Sequence, residues 1–235
     1  LDAGERGAVI LDRTSFYGEQ GGQVGDTGTL HVSRVKEHHS AEGGSVVRIE
    51  HTGRVGDYVL HVGVGNEGRL HVGDEVEAFA DPDRRDSIRA NHTTTHLLNL
   101  ALRDVVGEGC DQRGSMVSDD RLRFDYAAKG ALDGATLASI EESVNRRIKA
   151  GLKVHTAVVP LDDAKAVNTV RAVFGEQYPD PVRVVSVGPS VEALLGDPNC
   201  GEWMEHSVEF CGGTHLETTS EAGAFVLLSE QGLAA

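Results

Sequence analysis

The sequence predicts an α+β protein in two parts: a β-rich segment over residues 1 to about 80, and a two-layer α/β core with a metal site over residues 81–235. Three observations carry this expectation. Short β-type runs separated by glycine fill the first third, two amphipathic helical stretches with recognisable ends follow, and two pairs of metal-type ligands stand at i, i+4 spacing in the second part.

The β-type runs are Ala8 to Asp12, Thr27 to Val35, Ser45 to His51, Tyr58 to Val64 and Asp74 to Ala80. Glycines at 21, 22, 25, 28, 43, 44, 53, 56, 63, 65, 68 and 73 separate or flank them, and short strands at turn-rich spacing suggest a small barrel or sandwich. Asp81-Pro82-Asp83 then reads as a helix start, with an acidic cap and proline in the first turn, and Gly107 and Gly109 supply the stop. A second helix fits Asp133 to Ala150, where Leu137, Ile140, Val144 and Ile148 recur at three- and four-residue steps and Gly151 follows as a cap. It is expected to lie on a sheet built from Lys153 to Val159, Val182 to Val187, Val208 to Phe210 and Ala224 to Leu228, with a short helix over Leu161 to Val170.

At 235 residues, with 39% hydrophobic and 25% charged side chains, the composition is that of an ordinary globule able to bury a core. No apolar run approaches the roughly 18 residues needed to cross a bilayer, so no membrane partner is expected. Cys110, Cys200 and Cys211 are too few for a disulfide framework, which points to a reducing, cytoplasmic compartment and to metal or free-thiol roles. The chain opens on Leu1 and ends on Leu233-Ala234-Ala235, which suggests an excised fragment. A formal charge of −15 argues against a protein that grips nucleic acid unaided. The basic clusters at Arg84, Arg85 and Arg89, at Arg121 and Arg123, and at Arg146, Arg147, Lys149 and Lys153 read as solvated faces and helix-end charges.

His92 and His96 fall on one face of the first helix, one turn apart, so both can reach a single ion. Cys211 and His215 flank Gly212-Gly213-Thr214, where two glycines allow a tight turn that brings thiolate and imidazole together. The pairs are separated by 115 positions, 96 to 211, so only a folded domain can close the site. One cysteine and three histidines suit zinc, and four protein ligands are the usual mark of a closed structural site, although a displaced ligand would permit catalysis. A peptidase is disfavoured, because Thr93 stands where a zinc peptidase helix carries its glutamate base. His31, His51, His61, His71 and the His38-His39 pair read as sheet or surface positions, Cys110 and Cys200 as spectators, and His206 as a neighbour of the site rather than a ligand.

Together, Asn91-His92-Thr93-Thr94-Thr95-His96-Leu97-Leu98 and Cys211-Gly212-Gly213-Thr214-His215 resemble the editing domain of alanyl-tRNA synthetase and its free-standing relatives. Arg13-Thr14-Ser15-Phe16-Tyr17-Gly18-Glu19-Gln20-Gly21-Gly22-Gln23-Val24-Gly25-Asp26-Thr27-Gly28 is similar to the glycine-rich element that precedes the zinc core in that family. Gln112-Arg113-Gly114-Ser115, Arg121-Leu122-Arg123-Phe124-Asp125 and Phe174-Gly175-Glu176 fit as well, the last looking more like the full synthetase than the short free-standing editors. The likeness runs from about residue 8 to the end.

The resemblance implies a small amino-terminal β-barrel followed by an α/β editing core, and a hydrolase that removes serine or glycine from the acceptor end of tRNA(Ala), with the remaining synthetase domains outside this chain. It implies Zn2+ held by His92, His96, Cys211 and His215, Thr14 as the reader of the serine hydroxyl, and Gln23 as a donor and acceptor near the ester, with Glu19 a loop brace. Between Gly188 and Val208 the chain departs from the family with a stretch containing Pro189, Gly196, Pro198, Cys200 and Trp203, expected to be an extra surface loop. Three other readings stay open: a non-catalytic zinc-stabilised tRNA-binding module, a free-standing aminoacyl-tRNA deacylase, and the related threonyl-tRNA synthetase editing module, against which the Thr14 to Gly28 element argues.

Overall fold

The five amino-terminal β-type runs become strands β1 (Arg6–Ile10), β2 (Gly28–Arg34), β3 (Val46–Val55), β4 (Tyr58–Glu67) and β5 (Glu75–Ala80). The computed structural model describes residues 1–34, 45–107, 109–128, 130–172 and 177–232. The chain divides into two units, Leu1–Ser87 and Ile88–Ala235, and the division falls within helix α1 (Pro82–Val106).

In the first unit the strands form one antiparallel sheet in the order β1-β4-β3-β2-β5. The expected barrel does not close, because β1 and β5 are the two edges and no pairing joins them among the described residues. Closure needs a consistent tilt and stagger around the whole ring. Here β1 is only five residues long, and the β2/β5 register slips between Val32 and Arg34. The glycine-rich segment instead runs over the sheet and inserts Phe16, 4% exposed, into a core with Leu30, Val47 and Ile49. It can lie that close only through glycine. A Cβ on Gly25 would sit 1.7 Å from the Thr52 carbonyl oxygen, and one on Gly28 would sit 2.1 Å from that of Phe79.

In the second unit, α1 ends where Gly107 adopts φ +115, as the glycine stop predicts. Helix α2 (Gly134–Lys149) is capped by Asp133, whose carboxylate accepts from the Thr136 amide at 2.7 Å, and Gly151 turns the chain away at φ +60. Strands β8 (Val154–Val159), β9 (Val182–Val187) and β10 (Ser207–Phe210) form an antiparallel sheet in the order β10-β9-β8. A hairpin of β6 (Gln112–Val117) and β7 (Leu122–Tyr126) forms a separate two-stranded sheet, and Leu122, Phe124 and Tyr126, alternating with Arg123 and Asp125, pack on the core of α1 and α2.

The sheet of the second unit is covered on both faces, so the two-layer expectation gains a thin third layer. Val154 and Val187 pack with Leu97, Leu98, Ala101 and Leu102 of α1 and with Ile140, Val144 and Ile148 of α2. On the opposite face Ala157, Val182, Val184, Val208 and Phe210 pack against the short helices α3 (Leu161–Ala166) and α4 (Val191–Gly196). Alternating β9 side chains therefore enter different cores, as strand geometry requires. The 189–207 stretch is a correction: rather than an extra surface loop it contributes α4, with Leu194 fully buried, and a 3-10 turn at Gly201–Glu205. The indole of Trp203 packs on the same core and donates to the Asp197 carbonyl at 2.7 Å.

The strand expected over Ala224 to Leu228 is also absent. Its backbone is satisfied by α2 side chains instead: the Phe225 amide donates to Asn145, Asn145 donates back to the Phe225 carbonyl, and the Leu227 amide donates to Glu141. The Phe174-Gly175-Glu176 motif and His38-His39 lie outside the described residues.

Candidate metal centre

Helix α1 buries His92 and His96 at 7% and 3% exposure, and the turn after β10 brings Cys211 and His215 to them. The four ligand atoms all lie within 4.8 Å of one another. Cys211 Sγ stands 3.3 Å from His92 Nε2 and 3.4 Å from His215 Nε2. A tetrahedral zinc with ordinary sulfur and nitrogen bond lengths sets such edges at about 3.5 Å. The donor set and its spacing therefore fit one metal ion.

The surroundings prepare the imidazoles as ligands. Burial pushes the His96 ring down to about 3, helped by the nearby Arg183 charge, and drives His92 and His215 well below 6.5. Neutral rings are what a metal needs. Arg183 also ties the turn itself, donating to the carbonyls of Cys211 and Gly213 at 2.8 Å each, and Arg89 donates to the His215 carbonyl at 2.6 Å. Thr93 lies 3.3 Å from His215 Nδ1, so the residue that takes the place of a peptidase base holds the orientation of a ligand ring.

Sequence reasoning missed Glu209. Its Oε1 accepts from the Asn99 amide at 3.0 Å and from the Ser207 hydroxyl at 3.1 Å, and its Oε2 lies 3.8 Å from His96 Nε2. Burial pushes this carboxyl up to about 7 against the pull of those hydrogen bonds and of Arg103 and Arg171. The usable signal was parity: two residues before Cys211 on a strand, its side chain leaves on the same side. It also borders a pocket of about 140 Å3 with Asn99, Arg103 and Arg171.

Comparison with known proteins places this geometry. Residues 1–84 match the family described as tRNA synthetases class II (A), and residues 182–235 match the threonyl and alanyl tRNA synthetase second additional domain. The chain is 44% identical over 233 residues to the mitochondrial alanine-tRNA ligase of Saccharomyces cerevisiae, covering 99% of this chain and 23% of that relative. It is 47% identical over 226 residues to the alanine-tRNA ligase of Candida albicans, covering 96% and 22%, and 44% identical over 234 residues to that of Schizosaccharomyces pombe, covering 100% and 24%. The chain belongs to the alanine-tRNA ligase family, in its editing region. It spans about a quarter of the length of the relatives it matches.

In this alanine-tRNA ligase segment the residues singled out in the glycine-rich element all belong to the first unit. Thr14 is half-buried, its Oγ1 2.8 Å from His61 Nε2 and 3.1 Å from the Phe16 amide. Gln23 is only 1% exposed, with its backbone paired to that of Gln20. Glu19 is exposed, and its backbone amide donates to the Thr52 carbonyl at 2.9 Å. His206 packs against Gly188 and is not in the cluster, Cys110 is core, and Cys200 is partly exposed. Each basic cluster has members paired with acids: Arg85 with Asp26, Arg121 with Asp120, Arg123 with Asp125 and Arg147 with Asp104. Among the described residues no helix is long and apolar enough to cross a membrane.

Proposed function

We propose that this chain is the proofreading module of an alanine-tRNA ligase and hydrolyses the ester that joins serine or glycine to tRNA(Ala). The supporting observation is the cluster of buried His92, His96 and His215 with the partly buried Cys211 in a chain of this family. Zinc is the proposed ion: bound there, it would orient the acceptor end or polarise the ester carbonyl.

The chain's own residues supply the rest. An aminoacyl ester is already activated, so the work is to hold the 3′ end, place a water and stabilise charge on the carbonyl oxygen. Thr14 is the proposed reader of the hydroxyl that distinguishes serine from alanine. The enclosure of Gln23 supports a part in holding the loop that carries Thr14 rather than direct contact with the ester. Glu209 is the buried carboxylate nearest the ligands and is proposed to take or hold the proton of the attacking water. Mischarged tRNA and the other synthetase domains are the proposed partners.

The deciding experiment is deacylation of seryl-tRNA(Ala) by the chain, with and without a chelator and with circular dichroism in parallel. Hydrolysis that stops on chelation while the fold persists supports the reading. A chain that never hydrolyses the ester and unfolds without metal fits the second reading, a metal-stabilised tRNA-binding module, for which the four-ligand set speaks.

A further inference from the structure

Strand β4 turns His61 into the first unit with no exposed surface. Its Nδ1 lies 3.0 Å from the Val9 carbonyl oxygen. A carbonyl can only accept, so Nδ1 carries the proton, and burial keeps the ring neutral by lowering its pKa. A neutral ring protonated at Nδ1 has a bare Nε2. That atom stands 2.8 Å from Thr14 Oγ1, so the threonine hydroxyl must be the donor. The Phe16 amide donates into the same oxygen at 3.1 Å. The Phe16 ring, itself buried, meets the imidazole edge-on at a 5.2 Å centroid distance and holds the ring in place.

The accounting for Thr14 Oγ1 is then nearly complete. A hydroxyl has one proton and two lone pairs. The proton goes to His61 and one lone pair goes to Phe16, which leaves a single lone pair for a ligand. Whatever binds there has to bring a donor.

We infer that His61 is a positioning residue that makes Thr14 an acceptor-only reader, so that among side chains that reach Thr14 the module favours those carrying a hydroxyl donor. The inference rests on Thr14 being the reader and adds what it reads. Serine satisfies it through its O–H. Alanine brings nothing, glycine has no side chain to be read there, and 3-fluoroalanine, close to serine in shape with a fluorine in place of the hydroxyl, brings an acceptor against an acceptor.

The test uses seryl-, glycyl- and 3-fluoroalanyl-tRNA(Ala) with the wild-type chain, His61→Asn, His61→Gln and Thr14→Val. Asparagine keeps a donor for the Val9 carbonyl but offers nothing to Thr14, whereas glutamine places an acceptor close to where Nε2 stood. His61→Asn is expected to lower the seryl-to-fluoroalanyl ratio about tenfold, the worth of one neutral hydrogen bond, chiefly through the seryl KM. His61→Gln restores it. A ratio that collapses in Thr14→Val but not in His61→Asn overturns the inference and leaves the reader intact, whereas a ratio unmoved in Thr14→Val removes the reader itself. Nitrogen NMR of the wild-type ring gives a readout independent of turnover: a proton on Nδ1 and a bare Nε2 are expected, and the opposite tautomer overturns the inference.

Discussion

The Thr93 hydroxyl oxygen stands 3.3 Å from His215 Nδ1 and also accepts from the Leu216 amide at 3.1 Å, so one side chain of α1 holds both a ligand ring and the backbone behind it. With Nδ1 donating to Thr93, the lone pair of His215 is left on Nε2, facing Cys211. Thr93→Val keeps the shape and removes the acceptor. Zinc affinity is expected to fall about 10- to 100-fold, the usual cost of losing such support. Competition against a chromophoric chelator measures it, and an unchanged constant removes the bracing role.

Cobalt(II) loaded in place of zinc is expected to show thiolate charge-transfer absorption in the wild-type chain. Cys211→Ser loses that band, because Cys211 is the sulfur donor of the cluster. Cys110→Ser and Cys200→Ser keep it, since neither belongs to the cluster. A band that persists in Cys211→Ser places the metal elsewhere.

Glu209→Gln retains an acceptor for Asn99 and Ser207 and removes the carboxylate charge beside His96. We expect hydrolysis of seryl-tRNA(Ala) to fall about 100-fold, within the range of a lost acid-base group, while cobalt absorption is preserved. Full activity in this variant excludes Glu209 from the proton transfer.

Burial holds His61 below its ordinary 6.5, so the unfolded chain takes up the proton first as pH drops. The contribution of the neutral ring is complete above 6.5 and is lost on acidification below it. The urea midpoint of the wild-type chain should therefore fall more steeply from about pH 7 to about pH 5 than that of His61→Gln, in which this group cannot titrate. The ligand histidines titrate in both proteins, so the difference isolates His61. Parallel curves contradict the buried neutral ring.

Local chemistry was legible in the sequence where it determines structure on its own. The Asp133 cap, the glycine stops at 107 and 151 and the i, i+4 ligand pairs all stand where their residue types put them. What remained hidden depends on long-range competition for backbone partners. Ala224 to Leu228 carries a strand-like pattern, yet Asn145 and Glu141 of α2 take its amides. The sheet stays open at β1 and β5, and Phe16 of the glycine-rich segment packs into its core, a placement for which an aromatic in a glycine-rich loop gives no periodic signal. His61 read as an ordinary sheet histidine because Leu60, Val62 and Val64 alternate as the apolar side of β4, whereas the structure buries the side that carries His61, Gly63 and Gly65. Glu209 escaped notice because its neighbours Asn99 and His96 lie on a distant helix.

The ligand pairs also impose an order of events during synthesis. His92 leaves the ribosome 119 residues ahead of Cys211, so over that interval the emerging chain carries the two helix ligands without their thiolate and imidazole partners. Tight capture of the ion must wait until the Cys211 to His215 turn has emerged, so metallation follows the docking of that turn on α1 rather than seeding the helix.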